Sequence, residues 1–142
     1  MIEKYGFTAM DVPAGLVPGR VVEFRRDVYS VVTGRGEVDA VLKGSFMYDA
    51  VVRADLPCVG DFVLLEFNDS GVSRIVRLLP RFSKFSRADS SGHGYAHVKA
   101  NMEQVVATNF NYVFIVTSLN RDFRVNRILR YLTQARGSGG QP

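Results

Sequence analysis

The chain has a single cysteine, Cys58, so no disulfide can form within it. A chain with one unpaired thiol belongs by default to a reducing compartment, which makes the cytoplasm the expected setting. No apolar run approaches the ~20 residues that a membrane-spanning helix needs. The opening MIEKYGFTAMDVPAGLVPGR lacks the basic start and apolar block of a signal peptide. Metal ligands are scarce as well. His93 and His97 are spaced for one helical face, but Gly92 and Gly94 disfavour a helix there, and no second ligand pair has zinc-like spacing. Cys58 follows Pro57 and reads as a small residue buried at a turn, with no partner base to activate it. Asp61 and Glu66 lie apart in one strand without a paired acid–base context and are expected on its polar face.

Acidic residues are rare in one half only. Residues 1–70 carry 7 Lys+Arg against 11 Asp+Glu, a balance of −4, whereas residues 71–142 carry 11 against 3, a balance of +8. A basic half beside an acidic half points to a polyanionic partner on one side. The basic character concentrates in Val72 to Arg87, VSRIVRLLPRFSKFSR, which holds Arg74, Arg77, Arg81, Lys84 and Arg87 and no acid. Phe82 and Phe85 alternate with the last three cations. Cations meet phosphates and aromatic faces meet bases, so this run is a candidate nucleic-acid surface. The competing reading is a solvated strand face with the two Phe packed beneath a connecting segment. Arg121, Arg124, Arg127 and Arg130 form a second cationic group, expected as a solvated helix face.

The 142 residues, 46% hydrophobic and 23% charged, suit one domain, or a small domain with a piece of another. Tyr5, Phe7 and Met10 suit one short turn covering a barrel end, and Pro13, Gly15 and Pro18 break any helix after it. RVVEFRRD at 20–27 alternates, which puts Val22 and Phe24 on one face and Glu23 and Arg25 on the other. VYSVVT at 28–33 is a second strand, and Gly34-Arg35-Gly36 turns it into a third at 37–43. Residues 44–57 are less regular, with a short strand expected at Val51-Val52. VGDFVLLEF at 59–67 is the clearest apolar strand, and Asn68-Asp69-Ser70-Gly71 turns it into the strand at 72–79. Five strands in ~60 residues is the size of an OB-fold or an SH3-like barrel.

Residues 88–104 are polar and rich in Gly and Ser, and read as a linker. YVFIVT at 112–117 is apolar and β-branched, as in a strand covered on both faces. Asn120-Arg121-Asp122 offers helix N-caps, Val125, Ile128, Leu129 and Leu132 follow at helical spacing, and Gly137 is a natural stop. One strand and one helix cannot cover both faces of a sheet, so the sequence reads as a whole barrel plus the first unit of an interrupted α/β domain.

Several strings together carry a family likeness: Gly19-Arg20-Val21-Val22, residues 57–63 (PCVGDFV), Leu78-Leu79-Pro80-Arg81, Phe85-Ser86-Arg87, residues 103–109 (EQVVATN), residues 113–120 (VFIVTSLN), Asp122-Phe123 and residues 127–132 (RILRYL). In this order and spacing, residues 19–142 resemble the ribosome small-subunit-dependent GTPases called RsgA or YjeQ. Phe82 departs from the pattern, because relatives usually carry a second basic residue after Pro-Arg. The segment from Asp89 to Met102 is also longer than in many relatives.

The resemblance implies a mainly β fold: a five-stranded OB-fold barrel, then a linker, then the first βα unit of a truncated, circularly permuted GTPase domain. The expected division is an RNA-binding OB-fold domain at 1–88 (strands about 20–80), a linker at 89–104, and the start of the GTPase domain at 105–142. A zinc-binding domain follows in the family. The resemblance further implies a role in small-subunit maturation, with the OB-fold on ribosomal RNA. The expected RNA-binding residues are Arg74, Arg77, Arg81, Phe82, Lys84, Phe85 and Arg87. GTP, magnesium and zinc are implied for full-length members.

Hydrolysis of GTP requires a phosphate loop of the form G-x-x-x-x-G-K-[ST], and the family reads guanine through NKxD. Neither string occurs, so these 142 residues are expected to hold no catalytic residue, cofactor or metal and to be inactive alone. Asp89-Ser90-Ser91-Gly92 matches a bare DxxG but has no preceding strand, and Gly137 to Gly140 is a helix stop rather than a phosphate loop. The alternative function is an SH3-like protein-interaction barrel without nucleic acid. The 112–117 strand, unpaired, would then favour a dimer.

Overall fold

The computed structural model describes residues 2–8, 11–88 and 103–142, with the side chains of Arg53 and Ala88 excepted. Met10, the DxxG string, His93 and His97 lie outside the described residues. Five strands close into a barrel: β1 (Val17–Arg25), β2 (Val28–Thr33), β3 (Gly36–Leu42), β4 (Phe62–Glu66) and β5 (Ser73–Leu78). Their order is β1-β2-β3-β5-β4, returning to β1. Every pairing is antiparallel except β3 with β5, where Ala40, Val41 and Leu42 run parallel to Ser73, Arg74 and Ile75. That order and the one parallel pair are the OB-fold, which resolves the choice between barrels left open by strand count.

Strand β1 makes closure possible. Its first half pairs with β4 and most of its length with β2, so it bends across the core. Gly19 sits at the bend, where a Cβ would lie 2.4 Å from Val31 Cγ1. A bulge between Val21 and Glu23 shifts the phase of the strand. Val21 therefore points into the core, and Phe24 is 44% exposed rather than sharing an inward face with Val22. The two-residue turn to β2 uses Arg26 and Asp27 at φ 44° and 74°, the geometry a tight hairpin demands.

The core joins Val21, Tyr29, Val31, Ala40, Val63, Leu65 and Ile75. Strand β4 is apolar from Phe62 to Leu65 because that stretch is buried on both sides. Val63 and Leu65 face the core, while Phe62 and Leu64 pack outside it with Leu79 beneath Phe7, Val12 and Leu16. The N-terminal segment thus forms a 3-10 helix at Ile2–Tyr5 and then covers the flank of the barrel, with Phe7 against Phe62 at 5.5 Å. Between β3 and β4 the chain forms a short helix α1 (Gly44–Asp49) and a 3-10 turn (Arg53–Asp55) rather than a strand at Val51-Val52. Met47 and Ala50 pack on Leu42 and Leu56, which closes that end.

After Pro80 the chain forms a second, two-stranded sheet, β6 (Lys84–Ala88) with β7 (Glu103–Thr108). The expected strand at 112–117 does not form. Only Tyr112 bridges in parallel to Gln141, because no neighbouring strand stands beside the rest. Helix α2 (Val125–Gly137) forms and stops at Gly137 as expected. It starts later than Asn120, whose Oδ1 instead accepts from Asp122 N in a local turn.

Candidate nucleic-acid interface

The basic run does not form one surface. Arg74 and Arg77 are exposed on the outside of β5, where Arg74 registers beside Glu66 and Val41. Neither makes an ion pair with a described residue. Arg77 borders an open cavity of about 570 Å³ together with Asp49 and Asp55, so the field there is mixed.

Arg81 turns inward. Its Nε and Nη2 donate to Asp61 at 2.7 and 2.6 Å, Nη1 donates to Ala54 O at 2.8 Å, and Nη2 also donates to Leu56 O at 3.0 Å. Asp61 is fully buried, which corrects its expected place on the polar face of the strand. It also accepts from Thr108 Oγ1 at 2.7 Å and Cys58 N at 2.8 Å. Burial alone would lower the Arg81 pKa, but hydrogen bonds to Asp61 and its charge outweigh it and hold the guanidinium above its ordinary value. Burial, helped by the Asp61 charge, pushes the Cys58 thiol up to about 12, so it stays protonated and unreactive at neutral pH.

This pair ties the barrel to β7. Thr108 N donates to Val59 O, Asn109 Nδ2 to Gly60 O and Phe82 N to Asn109 Oδ1, at 3.0–3.1 Å. Arg20 adds Nη2 to Asn109 O at 2.7 Å, with its guanidinium over the Phe62 ring at 5.1 Å. Gly60, at φ 96°, lets the backbones meet, since a Cβ there would lie 2.1 Å from Thr108 O. The clue in the sequence was a carboxylate immediately before the most apolar run of the barrel, because a buried carboxylate requires a partner cation.

The rest of the run lies on β6 or beside it. Phe82 is 58% exposed. Lys84 pairs with Glu103 across the hairpin at 2.7 Å, and hydrogen bonding from Lys84 holds the Glu103 carboxyl below its ordinary pKa. Phe85 is half-buried, and Arg87 is exposed, donating from Nε to Gln104 Oε1 at 2.7 Å. In the second cationic group, Arg121, Arg124 and Arg130 are exposed, and Arg127 Nη2 donates to Asp122 O at 3.1 Å.

The β1–β2–β3 face, a usual nucleic-acid platform in OB-folds, is acidic here. Glu23, Ser30 and Asp39 register in one row, with Glu37 bonded to Ser30 and Arg25 neutralised by Glu23 at 2.6 Å. No cluster of three metal-ligating residues exists among the described residues. No described helix is long and apolar enough to cross a membrane.

Comparison with known proteins completes the picture. No family profile matches the chain. It is 40% identical over its full length to the small ribosomal subunit biogenesis GTPase RsgA 1 of Listeria innocua, and 36% identical, over 89% of the chain, to RsgA of Opitutus terrae. The chain belongs to the RsgA family. It corresponds to the N-terminal portion of RsgA proteins, spanning 38% of the Listeria protein and 35% of the Opitutus one. The solved structure of YjeQ from Thermotoga maritima shares the fold at a TM-score of 0.60 and 20% identity, over 87% of this chain and 38% of that one. YloQ, described as a circularly permuted GTPase, does so at 0.60 and 13%, over 94% and 42%.

Proposed function

We propose that this chain is the RNA-binding portion of a GTPase that matures the small ribosomal subunit in the cytoplasm. The observation that carries this reading is the end-to-end match to relatives named for small-subunit biogenesis. Its charge agrees: the balance of +8 lies in residues 71–142, and Arg74, Arg77 and Arg87 stand exposed. These three supply phosphate contacts, and Phe82 and Phe85 supply aromatic surface on and just before β6. Lys84 contributes less, because Glu103 neutralises it. Arg81 holds the fold and does not meet RNA, since its donors are taken up inside the protein. Hydrolysis of GTP, with its magnesium, and the binding of zinc belong to parts of RsgA proteins whose motifs these 142 residues do not contain.

The test is binding of the chain to purified small subunits across a salt series. Affinity should fall steeply with salt, and Arg74→Glu with Arg77→Glu should reduce it at least tenfold while flattening the log–log slope by about 1 per lost phosphate contact. Absence of binding at low salt, or binding indifferent to salt, would overturn the reading. GTP titrated into the chain should show no saturable binding.

The second reading, a protein-interaction barrel, draws on the acidic row of Glu23, Glu37 and Asp39, which suits a basic protein segment. It requires binding that survives Arg74→Glu with Arg77→Glu and is lost on Glu37→Lys with Asp39→Lys. The dimer expected through residues 112–117 belongs to this reading and would appear as a doubled mass in solution.

A further inference from the structure

Two hollows adjoin beside the β6–β7 hairpin. One, of about 350 Å³, lies between the barrel and β7 and is bordered by Phe24, Tyr29, Val59, Arg87 and Val106. The other, of about 410 Å³, lies between the hairpin and α2 and is bordered by Phe85, Arg87, Val106, Arg130 and Tyr131. Arg87 and Val106 border both, so the two hollows adjoin along a shared wall. Among the described residues, no carboxylate lines either part. The hollow beside Arg77 instead contains Asp49 and Asp55, and the one beside Arg25 contains Glu23 and Asp39.

We propose that these adjoining hollows form a subsite for single-stranded RNA, with Phe24 and Tyr131 as stacking platforms and Arg87 and Arg130 as phosphate contacts. The proposal rests on the RNA-binding reading above and names the strand type and the path. Phe24 is held face-up by stacking on the buried Tyr29, at 4.6 Å and 30° between rings, and remains 44% exposed. Tyr131 is 43% exposed on α2. An aromatic ring fixed from behind and open in front loses little freedom on meeting a base, and each such ring accepts any base. Arg87 is oriented by its Nε bond to Gln104, which leaves both Nη groups without a partner among the described residues. Arg130 makes no ion pair with a described residue. Cations beside aromatic rings, with no carboxylate among the described lining residues to oppose a phosphate, complement a charged strand whose bases are splayed. An RNA duplex keeps its bases stacked and cannot present them to these rings.

Anisotropy of a fluorescein-labelled single-stranded octaribonucleotide tests the proposal at 50 mM and 200 mM salt. Tyr131→Ala should weaken binding about tenfold and Tyr131→Phe should leave it unchanged. Arg130→Gln should flatten the log–log salt slope by about 0.7. All three changes are on an exposed helix surface, and circular dichroism checks that the fold persists. A single strand should compete at least tenfold better than a duplex of the same length. The subsite is overturned if the octamer does not bind at 50 mM salt, if Tyr131→Ala and Arg130→Gln bind as the parent does, or if duplex competes equally. Small subunits that still bind the chain under any of those outcomes would leave the broader RNA-binding reading standing. If subunits and octamer both fail to bind, both readings fall.

Discussion

The barrel and the segment after Asn111 use similar residues with opposite results. Val31 and Ile75 are fully buried in the barrel, whereas Phe114 and Val116 are 89% and 91% exposed. Intrinsic preference does not separate them, since YVFIVT is as β-branched and apolar as VYSVVT. The barrel strands each find two neighbours, so every ladder is satisfied and one face is enclosed. The 112–117 stretch finds a single bridge at Tyr112, and Thr117 Oγ1 is buried there without a hydrogen-bond partner among the described residues. A strand is a property of a sheet, and an apolar run is only a candidate for one.

The sharpest way to break the comparison is at the junction between the two regions. Asp61→Ala leaves the Arg81 guanidinium, whose side chain is only 14% exposed, without its charge partner. Loss of one member of such a buried pair should cost about 3–5 kcal/mol in urea unfolding. Asp61→Ala combined with Arg81→Met should recover much of that loss, since no uncompensated charge remains. If the double variant is as unstable as the two single losses summed, the pair is not what fastens β7 to the barrel.

A matched pair of truncations sharpens the contrast directly. Leu65→Ala removes a fully buried side chain from the core and should cost about 2–4 kcal/mol. Val116→Ala deletes as apolar a group from an exposed position and should change stability by less than about 0.5 kcal/mol. Equal losses would mean that residues 112–117 are packed in solution, as they would be across a dimer.

The same contrast governs how much was legible in the sequence. All five barrel strands were located from turn residues, β-branched or apolar runs and, in β1, alternation. That alternation misplaced Phe24, because the bulge at Val21–Glu23 shifts its phase without any glycine or proline to mark it. Helix α1 spans only Gly44–Asp49, too short for a helical period to appear. The basic run read as a single surface because sequence distance cannot show that Pro80 sends Arg81 inward to Asp61. Phe24 and Tyr131, 107 positions apart by numbering, border adjoining hollows only through the tertiary fold. The family strings, in contrast, were readable without geometry, since order and spacing survive in the chain itself.

The smallest effect is expected on the β6–β7 hairpin, which is intermediate between the closed barrel and the open segment. Lys84 and Glu103 face each other there, with side chains 42% and 37% exposed. Solvent screens such a pair, so Lys84→Ala should cost less than about 1 kcal/mol. Its pH dependence is more telling than its size. Hydrogen bonding from Lys84 lowers the Glu103 pKa below its ordinary 4.5, so the unfolded chain takes up that proton first as pH falls. The stability from the pair is therefore complete above pH ~4.5 and is lost as acid titrates Glu103 through its lower folded value. Unfolding midpoints of the parent and Lys84→Ala should converge as pH falls below about 4.5, and 1 M salt at pH 7 should bring them together as well. A difference that persists in acid and in salt would mean that the Lys84 alkyl chain supports the hairpin by packing, and the hairpin would then resemble the barrel more than the segment that follows it.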